Sequence, residues 1–532
     1  WKTEAEHTKI IANSLGWLEV AKLVRQHAGE LTSFADEIAA AGFRHVVLMG
    51  MGGSSLCPEV LRRTNIPMAG HPELLVLDST VPATVRRIQS AIDPARTLFV
   101  VASKSGSTKE PSVFYAYFFD LVRRLKGDKA GENFVAITDP GTMMDHDAQR
   151  DGFRKIFRNP SDIGGRYSAL SFFGMVPAAL IGLDVGQLLD RAIAVMEQCG
   201  PQRPLAENPG AKLGAALGVL ALAGRDKVTL VTPPPLEAVG LWIEQLIAES
   251  TGKEGKGIVP IAGEPLGVPP VYGNDRVFVQ IRTANHPAPE VNPLLRALAQ
   301  AGHPVFDQTL EGAIDLGAEF FRWEIATPLA CWFLNIDPFD QPNVQESKDN
   351  TVALLKEFTE RGRLPEFEPL ASFDGLTLSI GPDARKAFPQ PVTPGRDGLV
   401  ACLKAHLTRV RPGDYLAITQ YFDERDDRDE AIQAIRVYLR DTFRVATTTG
   451  YGPRFLHSTG QLHKGGPDNG VFLQLTADDG EDLPIPGDPF GFATLAAAQA
   501  LGDFQSLVSR NRRAIRIHLG SNVDAGLATL AA

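Results

Sequence analysis

Residues 44–61 read RHVVLMGMGGSSLCPEVL, residues 74–80 read LLVLDST, and residues 97–110 read TLFVVASKSGSTKE. Three short apolar runs (Val46–Met49, Leu74–Leu77 and Leu98–Ala102) alternate with stretches long enough for helices. That alternation predicts a βαβαβ unit with a parallel sheet. The first and third strands each run into a loop of small residues that should open a helix. Gly50, Gly52 and Gly53 carry no Cβ, so the backbone there can turn tightly and come close to a ligand or another chain segment. Ser103, Ser105, Ser107 and Thr108 bring hydroxyls, together with backbone N–H groups, to the start of the next helix. Donors grouped at a helix N-terminus suit an anion, most often a phosphate. Both loops fall beyond the carboxyl ends of their strands, where open α/β sheets bind ligands.

Three readings of this segment compete. Gly50 and Gly52, with Asp78 ending the next strand, match part of a dinucleotide-binding fingerprint, but Ser55 stands near where its third glycine belongs. The SKSGST loop lies outside that fingerprint and favours a phosphate ligand. The plain alternative is a pair of ordinary βα turns.

The chain has 532 residues, enough for two to four core-forming units. With 44% hydrophobic and 22% charged residues, it has the composition of a globular protein. A net charge of −10 argues against a nucleic-acid partner. No apolar run approaches the ~18 residues of a membrane span. Cys57, Cys199, Cys331 and Cys402 lie far apart without metal-type spacing, so buried thiols and a reducing, cytoplasmic compartment are expected. The start shows no signal-peptide pattern. Trp1 in place of Met reads as an artificial edge or the junction with a missing domain.

Helices are expected over residues 1–40. A first α/β domain should span 41–200, including the strand Phe134–Ile137 and an apolar helix Leu170–Ile181. Arg166, in Gly164-Gly165-Arg166-Tyr167-Ser168, directly precedes that helix and needs either a structural carboxylate or an anionic ligand. A second domain should span 201–360, with strands Val228–Val231 and Val277–Ile281 and a helix Leu236–Ser250. Glu249 ends that helix, where the dipole disfavours a carboxylate. Lys253 and Lys256 are the bland partners for it. Residues 361–480 should contribute strands and helices that complete the second domain: a linker-like stretch at 362–394 with a short strand Leu376–Ile380, then a third α/β pattern with strands Asp414–Thr419 and Val445–Thr448; 481–532 should form an extension with a strand Ala514–Leu519. Tyr451–Gly466 reads as a glycine-rich loop carrying His457, His463 and Lys464.

Five stretches taken in order, GMGGSSL (50–56), SKSGST (103–108), GGRYS (164–168), ESTGKEGKG (249–257) and IDPFDQPNVQESK (336–348), resemble the glucose-6-phosphate isomerase family. That family has two SIS (sugar isomerase) domains with helical extensions. The resemblance implies an α/β fold of two doubly wound, mainly parallel sheets flanked by helices. It implies reversible isomerisation of glucose 6-phosphate and fructose 6-phosphate through a cis-enediol, without cofactor or metal. Ser103, Ser105 and Thr108 would hold the phosphate, helped by Lys104 and Ser107, with Gly52, Gly53, Ser54 and Gln245 also at the substrate. Glu249 would be the base, Arg166 the cation facing the enediolate, and Lys348 a ring-opening or hydroxyl-binding residue.

One motif is out of place. In bacterial members a segment resembling LHSxGQ soon follows ESxGK and supplies a catalytic histidine. Here LHSTGQ stands far downstream, at 456–461, and His286 in NHPAPE has no matching neighbours. The second half therefore looks permuted, as in the isomerase part of transaldolase–glucose-6-phosphate isomerase fusions, which would place a transaldolase domain before Trp1. His457 is the first choice for the histidine, ahead of His463 and His286. The resemblance also implies a cytoplasmic homodimer whose sites draw residues from both subunits. A non-catalytic phosphosugar sensor, or an isomerase acting on another phosphosugar such as mannose 6-phosphate, are the other readings. The sensor has no need of Glu249, Arg166 and Lys348 together.

Overall fold

The computed structural model describes residues 2–65, 68–478 and 480–532. Its first sheet contains five parallel strands in the order Glu73–Leu77, His45–Gly50, Thr97–Ala102, Phe134–Thr138 and Lys155–Arg158. Side chains alternate across it. Val46, Leu48, Leu98 and Val100 face a core shared with the N-terminal helices and helix Phe172–Leu180, while Val47, Met49, Phe99 and Val101 face helix Lys109–Lys126. Gly50 lies opposite Ala102 in register. The glycine loop and the hydroxyl loop therefore leave the sheet side by side.

The second sheet has four parallel strands, Val259–Ile261, Lys227–Val231, Arg276–Thr283 and Val305–Leu310. The sequence pattern revealed only the central two. The outer two are disguised, one by Pro260 and the other by the half-polar run VFDQTL, both features of edge strands.

The remaining strands do not complete that sheet. They form a third sheet of six, in the order Pro369–Phe373, Leu376–Ile380, Arg513–His518, Gly470–Thr476, Tyr415–Tyr421 and Ala446–Tyr451. The last four run parallel, and Pro369–Phe373 and Leu376–Ile380 form an antiparallel hairpin at one edge. Two expectations are corrected by this. The stretch at 362–394 holds the expected strand Leu376–Ile380, but that strand pairs with Pro369–Phe373 in a hairpin, so the stretch belongs to the sheet and is no linker. Residues 481–532 are no appendage, because Arg513–His518 sits inside the sheet and helix Phe492–Ser509 packs on helix Pro342–Arg361.

Helix Glu237–Thr251 joins the units. It is buried along nearly its whole length and touches helices Leu56–Thr64, Leu316–Leu334 and Thr459–Gly465. A helix apolar on almost every side can only be stable inside a core. At its end, a Cβ on Gly252 would lie 2.4 Å from Leu462 Cα, so only glycine lets the two helices meet this closely. No helix among the described residues is long and apolar enough to cross a membrane.

Candidate active site

The two loops of the first sheet differ in what they approach. The glycine loop folds as a short turn over Gly52–Ser54. A Cβ on Gly53 would stand 1.9 Å from the Gly165 carbonyl oxygen, and one on Gly52 would stand 2.6 Å from Gln245 Nε2. These glycines are required because protein backbone and side chains press against them. Ser54 is half-buried on the same turn.

The hydroxyl loop is left open for a ligand. Gly106, at φ +64°, turns it under Thr142. Ser103 is buried, yet its hydroxyl has no hydrogen-bond partner. Ser107 Oγ donates to Ser105 Oγ at 3.1 Å. Thr108 precedes helix Lys109–Lys126 without capping it through its side chain. Pro111 brings no N–H, the Glu110 carboxylate takes its own N–H and the Ser112 N–H bonds the Thr108 carbonyl, so the Lys109 N–H is the backbone donor left at this helix start. Lys104 faces elsewhere, with its ammonium on the Asp139 carboxylate and the Ser161 carbonyl. Burial raises the pKa of Asp139 despite that pairing.

Glu249 is buried on the last turn of the joining helix. Arg166 is its cation, with Nε 3.6 Å from Glu249 Oε1. Lys253 and Lys256 point away, Lys253 to Asp340 and the Asp337 carbonyl, Lys256 to the Leu334 carbonyl. The local salt bridge that the sequence allowed is therefore absent. The two terminal nitrogens of Arg166 donate to Ser250 Oγ, to the Pro338, Phe339 and Asp340 carbonyls, and to Gln341 Oε1. Arg166 thus clamps the IDPFDQP loop, and its own Nε faces the glutamate. With its terminal N–H groups all donated to this loop and to Ser250, Arg166 carries its charge beside Glu249 as a buried cation.

Gln245, one turn before Glu249, donates through Nε2 to Glu249 Oε2 at 3.2 Å and to the His457 carbonyl at 2.8 Å. His457 ends the short turn Arg454–His457, which directly precedes helix Thr459–Gly465, so the expected long loop is mostly helical. Its Nε2 lies 3.1 Å from Glu110 Oε1. Glu110 also accepts from Gln499 Nε2 at 2.7 Å, and Gln499 accepts from Thr80 at 2.6 Å. Burial pushes the Glu110 pKa up, but the charge and hydrogen bond of His457, with help from Lys348, leave it below the usual range. Among the described residues no protein group engages His457 Nδ1.

Glu110 escaped the sequence reading although it lies inside the third of the opening stretches. A carboxylate in the first turn of a helix is ordinary dipole chemistry, so nothing local marked it. Lys348 is exposed on the second turn of helix Pro342–Arg361. Gln461, the last residue of LHSTGQ, donates to the Gly252 carbonyl and Asn343 Oδ1 and accepts from the Asn343 N–H. It thereby ties the histidine helix to the end of the glutamate helix and the start of the lysine helix.

The other two histidines fall away. His463 is enclosed by Tyr415, Phe455 and Phe472, and burial holds it well below its usual pKa. His286 lies exposed in a turn bonded to Thr283. Asp78, the acidic residue of the dinucleotide reading, is buried and bound by Arg454 at 2.8 and 3.0 Å. It is thus taken up by an arginine. His7, Asp337 and Asp340 come within metal-binding reach of one another, but Lys253 already pairs with Asp340 and His7 with Asp337.

Parallel sheets bearing a hydroxyl-lined loop at a helix start, beside a buried glutamate and a carboxylate-held histidine, define a sugar-isomerase type of α/β protein. A model of the phosphoglucose isomerase family matches residues 19–258. A glucose-6-phosphate isomerase of Rubrobacter xylanophilus is 30% identical over 381 residues, covering 62% of this chain and 87% of the relative. One from a Synechococcus strain is 27% identical, over 64% of this chain and 72% of its own length. The crystal structure of a glucose-6-phosphate isomerase from Chlamydia trachomatis superposes with a TM-score of 0.55 at 22% identity, over 64% of this chain and 75% of that one, a likeness of fold. The chain belongs to the glucose-6-phosphate isomerase family and is an aldose–ketose isomerase.

Proposed function

We propose that this protein interconverts glucose 6-phosphate and fructose 6-phosphate through a cis-enediol, with Glu249 as the base. The observation that carries this reading is the convergence of Glu249 and the His457 turn on the single side chain of Gln245. The unpartnered Ser103 hydroxyl, the Ser105–Ser107 pair and the Lys109 N–H at the start of helix Lys109–Lys126 form the phosphate anchor. An anchor outside the reacting bonds contributes orientation. Lys104, bound to Asp139, supplies the field of a nearby cation and no direct contact.

His457, oriented by Glu110, exchanges a proton with the ring oxygen and the anomeric hydroxyl so that the sugar opens. Lys348, at the same mouth, supplies positive charge. Glu249 then takes the C2 proton while the C1 carbonyl oxygen gains a proton. The resulting cis-enediol loses a proton from the C2 hydroxyl as Glu249 returns its proton to C1. Negative charge on the enediolate oxygens is offset by the buried Arg166, which keeps its charge throughout.

On this reading His457 reaches Glu110 and Gln245 of its own chain. The test is conversion of glucose 6-phosphate in deuterated water, in the wild type and Glu249→Gln. Deuterium should appear at C1 of the fructose 6-phosphate formed. Glu249→Gln should lose roughly 10²–10⁴-fold in kcat. Deuterium enters to the extent that the proton held by Glu249 exchanges with solvent before its return, and a variant of full activity would sink the assignment of Glu249.

A further inference from the structure

A cavity of about 850 Å³ opens where the three sheets' units meet, bordered by Arg454, Phe455 and Ser458 of the histidine turn. That volume lies within the ~300–1,000 Å³ usual for small-molecule sites. None of the residues assigned above to the phosphosugar, to proton transfer or to the enediolate lines it. Its walls come from helix Leu56–Thr64, the end of strand Glu73–Leu77, the first half of helix Glu237–Thr251, and helix Asp426–Phe443.

The charges on these walls are unequally satisfied. Arg62 and Arg63 bind Glu59, Arg454 binds Asp78 and Glu424, and Arg425 binds Asp427. Glu237, Glu244 and Glu430 also line the cavity, and among the described residues no hydrogen bond or ion pair holds any of them. Glu244 is the telling one. It is 5% exposed, faces the cavity and has no partner. A buried carboxyl in that state carries a desolvation cost that a ligand donor would remove. Across from it, Arg436 is fully buried with Nη1 unpartnered, although its Nε and Nη2 are bound to Thr447 and the Ala262 carbonyl.

We infer that this cavity is a second ligand site, separate from the catalytic cleft, that takes a small organic oligoamine on Glu244, Glu237 and Glu430. The unpaired groups are mainly carboxylates, which selects a cation. Among the described residues the one set of side chains close enough to share a metal ion lies elsewhere, at His7, Asp337 and Asp340. The carboxylates here are therefore spread too far apart for one ion, and an extended molecule with several amines spans them. Burial raises the Glu244 pKa to about 8, against the opposing pull of Arg436 and Arg454. The other titratable groups on the cavity walls are Glu237 on its own helix, Glu59 and Asp78 on the first sheet's side, and Glu424, Asp426, Asp429 and Glu430 at and beside helix Asp426–Phe443. Glu244 is thus protonated at neutral pH, and a bound ammonium releases that proton. Binding tightens as pH rises from 6.5 to 8.

The test is calorimetric titration of the full chain with spermidine, at pH 6.5 and 8.0, in two buffers of different ionisation heat. Saturable one-site binding is expected, tighter at pH 8.0, with net proton release at pH 6.5. Glu244→Gln should weaken binding at least tenfold and remove the proton release. Glu237→Gln alters an exposed residue that leaves the core untouched, and should weaken binding three- to tenfold. Inorganic phosphate and Mg²⁺ serve as the contrasting probes. Non-saturating binding, equal binding by both variants, or Mg²⁺ competing at equal affinity would reduce the effect to screening of an acidic surface and overturn the inference. Phosphate binding that is lost in Arg436→Gln would overturn it in favour of an anion site.

Discussion

Gln245 Nε2 lies 2.8 Å from the His457 carbonyl oxygen and 3.2 Å from Glu249 Oε2, so one amide holds the histidine turn and the glutamate in a common frame. Two segments separated by two hundred residues of sequence depend on this one side chain. A hydrogen bond to a charged group contributes roughly 1.5–3 kcal/mol and one to a neutral carbonyl roughly 1 kcal/mol. Gln245→Ala should therefore lose roughly 10–100-fold in kcat. Steady-state kinetics separates the two roles open to Gln245. A fall in kcat at unchanged KM marks a positioning residue, and a rise in KM at unchanged kcat marks a substrate contact.

Gly53 and Gly165 make a matched pair. A Cβ on Gly53 meets the Gly165 carbonyl at 1.9 Å, whereas a Cβ on Gly165 meets nothing within 4 Å. Gly53→Ala should push the glycine loop off the GGRYS segment, lowering stability by at least ~2 kcal/mol and activity with it. Gly165→Ala should be close to neutral. Thermal unfolding of the two variants checks this, and equal melting temperatures would show that the loop is not pinned there.

Much of this frame could be read from the sequence, and the reason lies in which groups make the contacts. The first sheet announced itself because its strands are apolar on both faces and end in small-residue loops. The third sheet was legible in part: the runs at Leu376–Ile380, Tyr415–Tyr421, Ala446–Tyr451 and Arg513–His518 read as strands, but not their assembly into a separate sheet. Its strand Gly470–Thr476 carries Gln474, which is buried and bound to the Ala500 carbonyl and Asp503 in a way no periodicity reveals. Arg166 was legible as a buried cation, but not as a clamp, because three of its acceptors are backbone carbonyls with no side-chain signature. Glu110 stands just past SKSGST and Gln245 one turn before ESTGKEGKG; Gln245 was expected at the substrate, whereas Glu110 was marked by nothing until His457 returns to it from the third sheet.

The Glu110 carboxylate should also contribute to stability in a pH-dependent way. Its folded pKa lies below the usual value, because His457 and Lys348 outweigh the burial that opposes them. A depressed carboxylate stabilises the fold above its unfolded pKa, near ~4.3, and loses that contribution as pH falls through the folded value. Glu110→Gln should therefore melt below the wild type at pH 7, and the two should converge on acidification. The same variant should lower kcat roughly tenfold or more, with partial recovery in Glu110→Asp, since His457 loses the group that orients it. A melting difference that stays constant from pH 7 to pH 3 would remove the ionised pair from the account.

Glu244 should show the opposite pH dependence. Burial raises its folded pKa to about 8, while the unfolded chain ionises it near ~4.3. A raised carboxyl pKa costs nothing below the unfolded value, where both states hold the proton. As pH rises from there towards 8, the unfolded state gains ionisation that the folded state cannot match, and stability falls. Glu244→Gln keeps the shape and removes the titration. Its melting temperature relative to wild type should start near zero difference at pH 4 and rise steadily up to about pH 8. There it should level off, the underlying gain in unfolding free energy being at most roughly 1.4 kcal/mol for each pH unit between the two ionisations. Unfolding scans every half pH unit give the curve directly. A flat difference across that range would mean that Glu244 is already ionised in the folded protein and held by a cation, and the cavity would then have no proton to release.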